Sequence, residues 1–233
     1  MKSRRLEVLL SGIQAEVPLA IAVIPFGMIY GALALNAGMP APVAQAMSSI
    51  VFAGSAQFIT TQLVREQVPG LVIIMTIAVV NLRHALYSAS LAPYLEKVSA
   101  AWKVLLAYLL TDEAYAVTIT HYRQSDQSTS LRHWFLLGAG LTLWASWQAS
   151  TALGLFLGAV VPEAWSLDFT LALTFIALLI PMLKDRPGLT AALAAGITAI
   201  LVYSLPLKLG ILLAALVGIL TGTGLAILQE KPQ

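Results

Sequence analysis

The residues able to do chemistry are few, and they sit inside apolar runs. Arg83 and His84 follow the unbroken apolar stretch Leu71–Val80, and Asp112 and Glu113 lie within the apolar segment 102–121. An ionisable group at the centre of a bilayer costs about 2.5–3.5 kcal/mol on insertion scales, so such residues mark function by default. At a helical rise of 1.5 Å per residue, Arg83 lies roughly 20 Å from the start of its segment and Asp112 roughly 15 Å from the start of its own. On two consecutive antiparallel helices those depths coincide, which predicts an Arg83–Asp112 or Arg83–Glu113 pair. A buried ion pair is a poor way to hold two helices together compared with apolar packing. Two adjacent carboxyl groups beside one arginine point further. They project about 100° apart on a helix, so one can pair while its neighbour is neutral or faces water or substrate. That arrangement suits proton binding or amine binding. His84 is a second proton-carrying candidate by its ordinary titration range, the plainer alternative being a neutral ring satisfied by a backbone carbonyl.

Two further segments bring polar or helix-weakening residues to a similar depth. Residues 51–59 read VFAGSAQFI, placing Gly54, Ser55 and Gln57 beside Phe58. Pro25 and Gly27 flank Phe26, and a proline removes one helical donor and frees a carbonyl. Transporters often build sites from helices broken at the midplane, while an ordinary kink and a small-residue packing face would use the same residues. Trp144 and Trp147 fall in the middle of a long apolar stretch with Gln148 and Thr151, on one stripe able to wall an apolar pocket. The GxxxG pairs Gly27–Gly31, Gly154–Gly158 and Gly218–Gly222 read as close helix packing. No cofactor motif or metal-ligand set is visible. Ser55 with His84 is a weak match to a hydrolase nucleophile and base.

The elements that must position these groups follow from composition. The chain has 233 residues, 59% hydrophobic and 10% charged, with net charge +2 and no cysteine; its mean hydropathy is +0.85. A soluble domain carries about 25% charged residues, so a water-soluble enzyme, a nucleic-acid-binding module and a disordered chain are excluded, and the partner is the lipid bilayer. Runs that are apolar on every side argue for helices rather than a barrel. The expected fold is all-α, one polytopic bundle over residues 1–233. Eight apolar segments are candidate transmembrane helices: 16–38, 41–63, 69–95, 102–121, 134–161, 167–183, 188–205 and 207–228. Residues 6–15 form a possible interfacial lead-in. Glu16 interrupts Leu6–Ala22, which argues against a cleavable signal. With both termini cytoplasmic, nine Lys and Arg residues fall inside and only Lys97, Lys103 and Lys208 outside, in keeping with the positive-inside rule. A seven-span alternative merges the last two segments.

The stretches PFGMIYGALA, FAGSAQFI, NLRHALYSASLAPYL and LTDEAYAVT, all within residues 25–120, resemble the AzlC family of branched-chain amino-acid permeases. The resemblance implies a multi-pass protein of a bacterial-type plasma membrane that exports Leu, Ile or Val. It also implies a small partner subunit of the AzlD/YgaH type. The residues fit such cargo, since a zwitterion needs a cationic and an anionic group close together and dry, with an apolar wall. In a proton-coupled exporter with alternating access, Arg83 or the backbone around Gly54–Gln57 would take the carboxylate. Asp112 or Glu113 would take the ammonium or the proton, and Phe26, Phe58, Trp144 and Trp147 would line the pocket. A channel, a structural subunit and an intramembrane hydrolase are the competing readings.

Overall fold

The computed structural model describes residues 2–124, 131–158, 183, 185–205 and 209–229. Among them every regular element is helical: α1 (Lys2–Asn36), α2 (Ala41–Val51), α3 (Gly54–Arg65), α4 (Gly70–Leu91, closed by the 3-10 turn Ala92–Tyr94), α5 (Ala100–Tyr108), α6 (Asp112–Gln124), α7 (Arg132–Gly158), α8 (Arg186–Leu201) and α9 (Leu209–Gln229). Among the described residues three stretches are both long and apolar enough to cross a membrane: Arg4–Asn36, Gly70–Tyr94 and Leu209–Gln229. Apart from Leu183, the expected span 167–183 lies outside the described residues, as do Lys184, Lys208 and Lys231. The chain forms two compact units, Met1–Thr61 with Asn81–Pro162 and Gln62–Val80 with Glu163–Gln233.

The first unit is built on α1 and α7, which pack side by side and run in the same direction. Gly12 abuts Phe135 and Ala139, Gly27 abuts Ser150, Gly31 abuts Thr151 and Leu155, and Gly158 abuts Ala32. At Gly31 an added Cβ would stand 2.6 Å from the Leu155 amide nitrogen, so only glycine lets these backbones approach. Ser146 adds a hydrogen bond to the Ala20 carbonyl at 2.7 Å. This continuous contact explains a departure from expectation. Helix α1 runs unbroken through Pro18 and Pro25, so no helix break occurs at Pro25–Gly27, and residues 6–15 belong to the same helix rather than to a separate lead-in. The bond each proline removes is outweighed by packing along the whole length.

The second departure concerns direction. Segment 102–121 does not traverse the unit. Trp102, early in α5, packs on His133 and Trp134 at 4.9 and 5.2 Å between ring centroids, and Leu109 reaches Gly140. Helix α6 then turns back, so that the Tyr122 hydroxyl donates to the Arg132 carbonyl at 2.6 Å. Helices α5 and α6 therefore form a hairpin that enters and leaves at the Arg132 end. The second half of α4 runs parallel to α6: Tyr87 stacks on Tyr115 at 4.5 Å and Tyr94 meets Tyr122 at 5.3 Å. The expected antiparallel pairing is thus corrected to a parallel one. Lys97 and Lys103 accordingly share an end with Arg4, Arg5, Arg123 and Arg132. There Arg132 lies over the Tyr94 and Tyr122 rings and Arg5 over Trp134.

Segment 41–63 is likewise a hairpin, entering from the Asn36 end. Helix α2 is latched to α7 by polar groups: Gln45 Nε2 and Ser49 Oγ both donate to Gln148 Oε1, at 2.8 and 2.9 Å, and Gln148 Nε2 donates to the Ser48 carbonyl at 3.1 Å. The chain turns at Phe52–Ala53, and α3 heads back with Phe58 edge-on to Tyr30. The α5–α6 hairpin is instead held by an apolar core that includes Leu91, Leu106, Leu109, Phe135 and Leu136. In the second unit α8 and α9 pack antiparallel, Gly218 against Ala195 and Gly222 against Ala191.

Candidate functional site

The tips of the two hairpins meet at Arg83. Its Nη1 donates to Asp112 Oδ2 at 2.5 Å and its Nη2 donates to Ser55 Oγ at 2.7 Å. The two charged side chains are 22% and 34% exposed, so the pair is only partly buried. Ser55 lies in the first turn of α3 and Asp112 in the first turn of α6. Two short helices thus point their N-terminal ends, with the partial positive charge of the helix dipole, at one guanidinium. Asp112 offsets that accumulation of positive charge. A carboxylate arriving here would find one cation and two helix N-termini, while an ammonium group would find Asp112.

Local sequence explains both tips. In the first, Phe52 adopts a left-handed backbone (φ 33°, ψ 53°) that ends α2, a conformation costly for a bulky residue and concentrated at functional turns. Gly54 then passes beneath Trp147, whose ring would lie 3.0 Å from an added Cβ. In the second, Thr111 is the N-cap of α6: its hydroxyl accepts from the Ala114 N–H at 3.3 Å, and its carbonyl accepts from the Tyr115 N–H at 2.9 Å. Acidic residues in the following turn complement the helix dipole. Asp112 and Glu113 owe their position to that cap.

The other expected residues fall into two groups. Gly54, Gln57, Trp144 and Trp147 stand around the first tip. Trp147 is buried and donates through Nε1 to Gln57 Oε1 at 3.0 Å. Trp144 donates to the Tyr108 hydroxyl at 2.7 Å, and Tyr108 in turn donates to the Ser49 carbonyl. These contacts position the tip. Phe58 is fully buried against Tyr30, and Phe26 is half-buried on α1. His84 points its Nδ1 at the Asn81 carbonyl of its own helix, 3.2 Å away, and its ring at the edge of Tyr87. Ser55 accepts its hydrogen bond from Arg83, while His84 is turned to its own helix. Sequence reasoning missed Phe52, Tyr108, Thr111 and, above all, Glu16. The signals were present: Thr-Asp-Glu after an apolar run is a helix start, and Glu16 falls on the buried stripe Val8–Gly12–Glu16–Ala20.

The family described as AzlC protein matches residues 18–161, the stretch that holds both hairpins and Arg83. The chain belongs to the AzlC family. An uncharacterized membrane protein of Archaeoglobus fulgidus is 31% identical over 212 residues, covering 89% of this chain and 90% of that protein. The inner membrane protein YgaZ of Escherichia coli is 25% identical, covering 94% and 90%. The branched-chain amino acid transport protein AzlC of Bacillus subtilis is 24% identical, covering 78% and 71%. No solved structure matches. Family membership thus joins a membrane protein of a transport family, rather than one of catalysts, to a site with paired opposite charges at two hairpin tips.

Proposed function

We propose that this AzlC-family chain is a secondary transporter, one domain over residues 1–233, that exports branched-chain amino acids across the plasma membrane. The observation that carries the reading is Arg83 bridging the two tips, 2.5 Å from Asp112 and 2.7 Å from Ser55. The amino-acid carboxylate exchanges into the Arg83 and α3 N-terminal contacts, and the ammonium group takes Asp112 or Glu113. The side chain of Leu, Ile or Val goes to the apolar wall that Phe26, Trp144 and neighbouring residues offer. The hairpins enter from opposite ends, so movement of one at a time opens the site to one side at a time, as alternating access requires. The basic end, with Arg4, Arg5, Arg123 and Arg132, faces the cytoplasm. A proton entering the cell neutralises a carboxyl group in one of the two states and drives cargo outward. A small membrane subunit of the AzlD type completes the exporter.

The test is counterflow. Proteoliposomes holding the chain with its small partner, loaded with unlabelled leucine, should take up labelled leucine transiently, and Arg83→Ala should abolish the uptake. Uptake equal to that of protein-free vesicles would overturn the proposal. Non-saturating uptake accompanied by ionic current would replace it with a channel.

A further inference from the structure

The largest departure from packing logic in the first unit is Glu16. The buried stripe of α1 at four-residue spacing is Val8, Gly12, Glu16 and Ala20, and Glu16 is 0% exposed. Both carboxylate oxygens are buried without a hydrogen-bonding partner. An ionised carboxylate in that position would lack the pairing that makes burial of charge affordable. The α7 stretch packed against it, Phe135–Leu143, holds no titratable side chain, nor does the turn of α1 on either side. The charged group whose field reaches it is Glu113 of α6, and beyond that stands Asp112 with Arg83. Glu16 and Glu113 are thus two carboxyl groups that cannot both hold a charge cheaply, one remote from the cargo and one beside it.

Access is built in. A cavity of about 450 Å³ between α1 and α6 is lined by Ser11, Ala15, Thr120, His121 and Phe135 among others. Ala15, the residue before Glu16 on α1, is part of its wall. His121 stacks on Phe135 at 3.9 Å, with its Nε2 buried and unpartnered.

We propose that Glu16 carries the coupled proton, exchanging it with Glu113 on one side and with water in this cavity on the other. The assignment rests on the transport reading above. As the ammonium group claims the Glu113 side of the site, the protonated Glu16 carboxyl gives its proton to water in the cavity and is reprotonated from the Glu113 carboxyl. One proton is thus released, Glu113 is left ionised beside the ammonium, and charge is conserved at each transfer. Neither Asp112 nor His84 is needed as the carrier.

The experiment compares wild type, Glu16→Gln and Glu16→Asp in proteoliposomes, by leucine counterflow and by leucine accumulation under a one-unit pH gradient. With one proton per amino acid, a unit gradient supports about a tenfold accumulation ratio. Glu16→Gln should keep counterflow and bring the ratio to one, and Glu16→Asp should restore part of it. A tenfold ratio in Glu16→Gln overturns the assignment and leaves the transport reading standing. Absence of counterflow in wild type removes the transport reading instead. An arm that needs neither transport nor a variant treats the wild-type protein with a hydrophobic carbodiimide, which modifies protonated buried carboxyl groups. Modification located at Glu16, decreasing as pH rises, supports the carrier role; an unmodified Glu16 at every pH overturns it.

Discussion

Replacing Arg83 by lysine tests whether the guanidinium acts as a bridge or only as a positive charge. Its two terminal nitrogens serve different hairpins, Nη1 to Asp112 and Nη2 to Ser55. A lysine keeps the charge, but its compact ammonium on a flexible stem cannot reproduce the planar two-pronged contact. Held by Asp112, it leaves Ser55. The loss is one hydrogen bond to a charged group, about 1.5–3 kcal/mol, or roughly a 10- to 150-fold fall in kcat/KM for leucine counterflow. The sharper form is a double-mutant cycle with Ser55→Ala. Alone, Ser55→Ala removes the same contact and should cost a similar amount. In the Arg83→Lys background it should cost almost nothing, because the contact is already gone. Initial rates across a range of leucine concentrations give the four kcat/KM values, and melting of the purified proteins checks that each variant folds. Additive losses would refute the bridge and reduce Arg83 to a single-sided ion pair with Asp112.

Three other changes probe what holds the tips. Gly54→Ala places a methyl 3.0 Å from the Trp147 ring and should destabilise by about 1–3 kcal/mol through overpacking; an unchanged melting temperature would show that the ring gives way freely. Thr111→Ala removes the cap of α6 and should cost about 1 kcal/mol, read as a fall of about 2–4 °C in Tm, with Thr111→Ser losing less. Gly31→Leu drives a side chain into the Leu155 backbone and should abolish monodisperse protein in size-exclusion chromatography, whereas a folded variant would show that α1 and α7 can separate.

Much of the site was legible because depth does not depend on direction. Asp112 sits about 15 Å from the start of its segment whether the chain continues or turns back, so its pairing with Arg83 followed even though the helices run parallel. The turns themselves were hidden. Hydropathy averages over about 19 residues and passes smoothly across Phe52–Gly54 and Leu109–Thr111, whose meaning lies in a left-handed phenylalanine and a threonine cap. Pro25 misled in the opposite sense, since the local rule for proline yields to a helix–helix contact made by residues 100 and more positions away. Glu16 was read only as an interruption of an apolar run. Its burial depends on α6 and α7 closing over α1, and the four-residue stripe was the one local trace of that.

The claim on which the account stands is that the hairpin tips recognise both ends of a zwitterion. Competition against labelled leucine binding to the purified complex measures it, using leucine, its decarboxylated amine and its deaminated acid. Leucine should compete fully, and either analogue should be weaker by at least tenfold. Equal competition by the amine or by the acid would show that only one charge is read, and the paired site would be wrong.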